Sequence, residues 1–146
     1  VIFGCGRTGA TLALQLSKTH SVTVIEQNPE AIRRLGYKHT CKVVIGSGLD
    51  EETLLRAGVE TADVFFALTR GDNTNLMAAQ VAKLTYNIAK VCIRVADVNR
   101  AEAYRNIGYF CITPSVMIAG MLADWFNGNE FGSIDTYNIL PTEMQI

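Results

Sequence analysis

Short, nearly continuous apolar runs recur along the chain, and between them lie stretches that mix apolar and polar positions at helical spacing. The runs Val1–Phe3, Val22–Ile25, Cys41–Ile45, Val64–Leu68 and Val91–Val95 have the composition of strands covered on both faces of a parallel sheet. The chain opens inside the first of them, so that strand is expected to begin upstream of Val1. Thr11–Leu16 predicts a helix, with Ala10, Leu12, Ala13, Leu14 and Leu16 on its apolar face. Asn28-Pro29 caps a short helix over Glu30–Leu35, Pro standing at the first helical position. Asp50-Glu51-Glu52 opens another, with acids where the helix dipole favours them. A longer helix is predicted from Asn75 to about Tyr86. Strand and helix alternate throughout, which is the pattern of βαβ units with right-handed crossovers. The expected fold class is α/β, a Rossmann-like, doubly wound and mostly parallel sheet.

The pattern changes in the last predicted helix, Ser115–Phe126. Val116, Met117, Ile118, Met121, Leu122, Trp125 and Phe126 surround its axis and leave Asp124 as its single charge. A helix apolar all round must be buried all round, and packing on a sheet covers one face. A second copy of the chain is the expected cover; the alternative is that residues 127–146 fold back over it. That tail begins with a glycine-rich break and contains a predicted strand, Ile134–Leu140.

The candidate chemistry sits in the turns. Gly4-x-Gly6-x-x-Gly9 directly follows the first strand and opens the first helix, as in a dinucleotide-binding fingerprint. There the first glycine permits the tight turn, the second lets the backbone approach a pyrophosphate and the third lets helix and strand pack closely. The helix N–H groups of that turn, around Arg7 and Thr8, then face the phosphates. Glu26 ends the second strand seventeen residues past Gly9, where the fingerprint wants a carboxylate for a ribose diol, and Gln27 stands beside it. An acid there repels a 2′-phosphate, so NAD(H), ATP or ADP is expected and NADP is disfavoured. In an open doubly wound sheet the ligand lies beyond the carboxyl ends of the strands. Ser47, Gly48, Thr69 and Arg70, in the turns after the third and fourth strands, therefore join the candidate site. Arg70 could equally be a solvated loop charge. Arg94 lies inside an apolar strand and must find a carboxylate, for which Asp97 is one candidate, or a phosphate.

Composition narrows the class further. A net charge of −1 and a 49% apolar share describe an ordinary globular domain with no basic surplus for nucleic acid. The longest weakly charged apolar stretch, Tyr109–Gly120, contains Pro114 and is too short to insert in a bilayer, and no charged leader precedes it, so a cytoplasmic location is expected. Cys5, Cys41, Cys92 and Cys111 lack metal-ligand spacing and are expected as buried reduced thiols. His20 and His39 are expected to be solvated.

The segments GCGRTGATLALQLSKTHSVTVIEQNPE, DEETLLRAGVETADVFFALTRGDNTNLMAAQVAK and RNIGYFCITPSVMIAGMLA resemble the TrkA-N domain, also called the RCK or KTN domain, over residues 1–126. The resemblance implies a cytosolic regulatory module that binds NAD(H), ATP or ADP and transmits nucleotide state to a potassium channel or transporter. It implies that Arg7 reaches terminal phosphates, often across to a neighbouring subunit, that Glu26 holds the ribose, and that Arg94 meets phosphate. It also implies a homodimer or ring built through a crossover helix at 114–126, with 127–146 a linker or the start of a further lobe. The chain departs from the family pattern in two places. Ser47-Gly48-Leu49 replaces an Asp-Ala-Thr run on the adenine side, and Ser115 stands where some members carry a metal-binding glutamate. The alternative function, the cofactor half of an NAD-dependent oxidoreductase, would need a proton-transfer residue and a substrate clamp, and the chain supplies no candidate for either. No catalytic residue is assigned.

Overall fold

The structure is a computed structural model that describes residues 1–139, and the chain divides into two compact units, Val1–Ile93 and Arg94–Ile146. The first unit runs β1 (Ile2–Phe3), α1 (Arg7–Leu16), β2 (Thr23–Glu26), a 3-10 helix (Pro29–Leu35), β3 (Lys42–Ile45), α2 (Glu51–Arg56), a 3-10 turn (Val59–Thr61), β4 (Val64–Ala67) and α3 (Asp72–Gln80). A π-helical turn, Val81–Thr85, extends α3 and leads to β5 (Lys90–Arg94). The strands lie in the order β3-β2-β1-β4-β5, and every pairing among them is parallel. Strand order reverses between β1 and β4, so the carboxyl ends of these two strands flank the switch point, as in other doubly wound sheets. The core forms on both faces of the sheet, with Ile2, Phe3, Val24, Ile25, Phe65 and Ile93 almost wholly buried. That burial explains why the strands read as apolar runs rather than alternating ones.

Most helix ends carry the signals seen in sequence. Asn28 Oδ1 accepts from Glu30 N–H at 3.0 Å, and Asp50 Oδ2 accepts from Thr53 N–H at 2.8 Å and from its hydroxyl at 2.7 Å. The element that Asn28 caps is a 3-10 helix rather than an α-helix. Helix α3 starts at Asp72, three residues before the expected Asn75. The polar stretch taken as loop supplies the first turn of the helix, and Asn75 turns inward from it. His20 is exposed, as expected, and its Nδ1 pairs with the Thr19 hydroxyl at 2.8 Å. His39 departs from expectation: it is half-buried, and its Nδ1 is shielded from solvent without a hydrogen-bond partner among the described residues. The chain there turns inward to deliver the buried Cys41 to β3.

The second unit contains α4 (Val98–Asn106), β6 (Phe110–Ile112), α5 (Pro114–Asn127) and α6 (Ile134–Tyr137). Val95 N–H donates to the Ile112 carbonyl at 3.0 Å. Arg105 ties this unit together, its Nε and Nη2 both 3.2 Å from the Cys111 carbonyl and its Nη2 2.9 Å from Asn138 Oδ1. The strand expected over Ile134–Leu140 is instead a helical turn over Ile134–Tyr137, and Leu140 lies outside the described residues. Ser133 caps that turn. The reversal seats the Tyr137 ring against Gly120, where a Cβ would come within 2.8 Å of Cδ1, and carries its hydroxyl to Asp124 Oδ2 at 2.7 Å. The tail thus covers one face of α5. No residue of α5 is buried, and Ile118, Met121, Leu122 and Trp125 form an exposed stripe at helical spacing. No helix among the described residues is long and apolar enough to cross a membrane.

Candidate functional site

The three glycines of the turn after β1 divide their work. Gly4 adopts φ +107°, a left-handed conformation that disfavours any side chain, and a Cβ there would lie 2.9 Å from the Thr69 backbone nitrogen. A Cβ on Gly9 would land on the Gly4 carbonyl oxygen, so α1 packs against β1 only because that position is bare. Gly6 is different: a Cβ there would meet nothing within 4 Å. The second glycine faces open space, where a ligand backbone could approach. Gly6 also caps α1 without a side-chain hydrogen bond, and no acid occupies the first turn. The N–H groups of Arg7, Thr8 and Gly9 precede the first intrahelical bond, Ala10 N–H to the Gly6 carbonyl at 2.9 Å. This end of α1 therefore presents unscreened positive dipole and donors together.

Glu26 is bound to the same turn. Its Oε2 accepts from Cys5 N–H at 2.7 Å and its Oε1 from Asn28 N–H at 2.9 Å. Each oxygen retains acceptor capacity for a ribose hydroxyl. Burial, and then the charge of Glu26, pushes the Cys5 thiol above its ordinary pKa, so this cysteine is not an activated nucleophile. Gln27, next to Glu26, is exposed.

Across the sheet, the Ser47 hydroxyl accepts from Leu49 N–H at 3.2 Å. Gly48 is buried against the Phe3 ring, with space for no Cβ, so it shapes the turn after β3 from within. Thr69 is locked by Asn75, whose Oδ1 accepts from its N–H at 2.9 Å and from its hydroxyl at 2.6 Å. Arg7 and Arg70 are exposed, and neither has a carboxylate within ion-pair distance among the described residues. The turns after β1, β2, β3 and β4 are thus linked directly, through Gly4 to Thr69, Cys5 to Glu26 and Phe3 to Gly48. Arg94 closes β5 and belongs to the second unit, half-buried. There Asp97, named as its candidate partner, caps α4 by accepting from Arg100 N–H at 3.0 Å. Sequence reasoning missed Asn75 and Arg34; neither carries a motif signal. A cavity of about 560 Å³ opens at the opposite, amino-terminal ends of the strands, lined in part by Val1, Val22, Lys42 and Asp63. It is remote from the glycine turn.

Fold and turn geometry together define a Rossmann-like α/β domain with a glycine cradle of the dinucleotide-binding type. Residues 1–114 match the TrkA-N domain family, and the chain belongs to it. It is 43% identical over 109 residues to the Trk system potassium uptake protein TrkA of Streptomyces coelicolor, a match spanning 74% of this chain and 49% of that protein. The chain therefore spans about half the length of this relative. Among solved structures it is similar to the Kef CTD of Shewanella denitrificans in AMP-bound form, with TM-score 0.69 and 22% identity, covering 93% of this chain and 84% of that one. It is also similar to the NAD(P)-binding domain of an exopolyphosphatase-related protein from Archaeoglobus fulgidus, with TM-score 0.70 and 17% identity, covering 87% and 96%. At these identities the structural likeness carries the fold.

Proposed function

We propose that the chain is the nucleotide-sensing regulatory domain of a potassium transport system, cytoplasmic and attached to the membrane through its transporter partner. The ligand is a nucleotide containing adenosine, of the NAD(H) or ATP/ADP/AMP kind. The observation that carries this reading is the open face of Gly6. A bare turn with uncapped N–H groups is suited to phosphate, Arg7 and Arg70 stand on the turns after β1 and β4 with no ion pair among the described residues, and the Glu26 carboxylate is suited to the ribose. The potassium link is supported by the Streptomyces relative, a potassium uptake protein, and the adenosine ligand by the AMP held in the Kef structure. Calorimetric titration with AMP, ADP, ATP, NAD and NADH tests it: at least one should bind, and binding by none refutes it.

The output is a change in the shape of a dimer or ring assembled through α5. Trp125 is 71% and Phe126 82% exposed, and an apolar surface of this kind on a regulatory module fits an interface. Wild type should sediment as a dimer or larger, and Trp125→Glu as a smaller species. A monomeric wild type refutes the assembly.

A further inference from the structure

Charge is spread unevenly over the first unit. Residues 1–49 contain six lysines and arginines but only two carboxylates, Glu26 and Glu30, a surplus of +4 in a chain whose net charge is −1. Both carboxylates stand at the carboxyl end of β2 or just past it, where Glu26 holds the glycine turn and Glu30 pairs with Arg33 at 3.0 Å. In a parallel sheet every helix-to-strand connection returns to the amino-terminal end of the strands. The connections before β2 and β3, residues 17–22 and 36–41, lie there side by side. Thr23 is in register with Lys42, Lys42 N–H donates to the Val22 carbonyl at 2.9 Å, and His20 and Lys42 line one cavity. This corner carries Lys18, Lys38 and Lys42, all exposed and with no carboxylate in ion-pair distance among the described residues. Lys42 Nζ meets the Arg56 carbonyl, a neutral partner that leaves its charge uncompensated. Tyr37, beside Lys38, is 107% exposed. Glu60 and Asp63, the acids of this end, precede β4, on the far side of β1 from β2. At ordinary strand spacing that is about 10 Å away, roughly one screening length.

We infer that this basic corner is a peripheral contact for anionic phospholipid headgroups on the membrane that holds the transporter. The inference rests on the proposal above that the domain works beside such a membrane. Lysine suits a diffuse anionic surface, because it is a hydrated point charge on a flexible stem rather than a planar fork matched to one carboxylate. A tyrosine among the lysines places an apolar ring with a polar tip where headgroups meet water. Charge also decides between lipid and protein as the partner. Cytoplasmic loops of membrane proteins carry a surplus of lysine and arginine, which repels a basic corner, whereas the anionic leaflet around them attracts it. The corner lies at the opposite ends of the strands from the glycine turn, so lipid and nucleotide do not compete for it.

The test is cosedimentation of the full chain with phosphatidylcholine vesicles, with and without phosphatidylglycerol, at low and at physiological salt. Wild type should bind only the vesicles that contain phosphatidylglycerol, and less at the higher salt. Each cation near such a surface changes partitioning by about fivefold, so Lys18→Gln combined with Lys38→Gln should weaken binding by about 25-fold. Both lysines are exposed, so this double variant should melt as wild type does. Tyr37→Ser should weaken binding at both salts. Arg100→Gln, which removes a cation from α4, should change it less than about twofold. Wild type that ignores phosphatidylglycerol, a double variant that binds as well as wild type, or an Arg100→Gln loss equal per charge overturns the inference. Binding to polyglutamate without binding to vesicles overturns it as well, in favour of an acidic protein partner. Each of these outcomes leaves the nucleotide reading standing, and wild type that binds the anionic vesicles but no nucleotide overturns that reading alone.

Discussion

Replacing Asn75 with alanine tests how the turn after β4 is held. The Asn75 side chain is fully buried and exchanges three hydrogen bonds with Thr69: N–H to Oδ1 at 2.9 Å, hydroxyl to Oδ1 at 2.6 Å, and Nδ2 to the carbonyl at 3.0 Å. A hydrogen bond contributes about 0.5–1.5 kcal/mol net, so three amount to about 1.5–4.5 kcal/mol. Thr69 is half-buried, so its hydroxyl regains a bond to water in the variant and the loss falls by about 1 kcal/mol. The void left by the amide adds back about 0.5–1 kcal/mol. The expected destabilisation is about 1–4.5 kcal/mol, below the total of about 5–15 kcal/mol typical of a domain, so the variant should still fold.

Urea unfolding followed by far-ultraviolet circular dichroism measures this through the shift in midpoint, provided the slope is unchanged. Thr69→Val, which removes the hydroxyl alone, should cost less than about 1.5 kcal/mol. Combined with Asn75→Ala it should show a coupling energy of about 0.5–1.5 kcal/mol. A loss below about 0.5 kcal/mol for Asn75→Ala, or strict additivity of the pair, would refute the lock. Because the bare Gly4 leans on the Thr69 backbone nitrogen, the folded variant should also bind nucleotide more weakly than wild type.

The remaining predictions concern the glycines and the tail. Gly9→Ala places a methyl on the Gly4 carbonyl oxygen and should cost about 1–3 kcal/mol, read as a lower melting temperature; an unchanged melt contradicts the packing. Gly6→Ala meets open space and should shift stability by no more than about 0.5 kcal/mol while lowering nucleotide affinity; full affinity in this variant would remove Gly6 from the cradle. The Asp124 carboxyl is held below its ordinary pKa by the Asn129 amide and then by the Tyr137 hydroxyl. A lowered folded pKa means that its contribution is complete above the unfolded pKa and is lost as pH falls through the folded one. The protection of amides at residues 132–138, corrected for the intrinsic pH dependence of exchange, should therefore fall in acid relative to neutral pH, and Asp124→Asn should abolish that change in protection; an equal loss of protection in the variant would exclude Asp124 as its source.

Sequence made the strands and the glycine turn legible because their signals are local. A parallel strand buried on two faces must be apolar along its length, and Gly4 and Gly9 stand where no side chain fits. The buried, unlinked cysteines followed from spacing in the same way. Other elements left weaker traces. Helix α4 buries only Ala101, so it has almost no apolar periodicity, and β6 is three residues long; neither was anticipated. In the tail, Ile134 and Ile139 suggested a strand, but Ser133 caps a helical turn and Tyr137 finds Asp124.

The illegible features share a cause. In Thr69-Arg70-Gly71-Asp72-Asn73-Thr74-Asn75 every residue is a credible loop residue, and nothing local distinguishes the asparagine that turns inward. The same holds for Arg33-Arg34, where one arginine pairs within its own helical turn and the other reaches the glycine loop. Two of the outcomes depend on a partner that a separate chain segment brings in, the Cys5 carbonyl for Arg34 and Asp124 for Tyr137, and Asn75 closes back on Thr69 only once its own turn has formed. Glu26 read alone gives an acidic corner, whereas the fold also brings Arg34 to the carbonyl of Cys5, the residue whose N–H Glu26 holds.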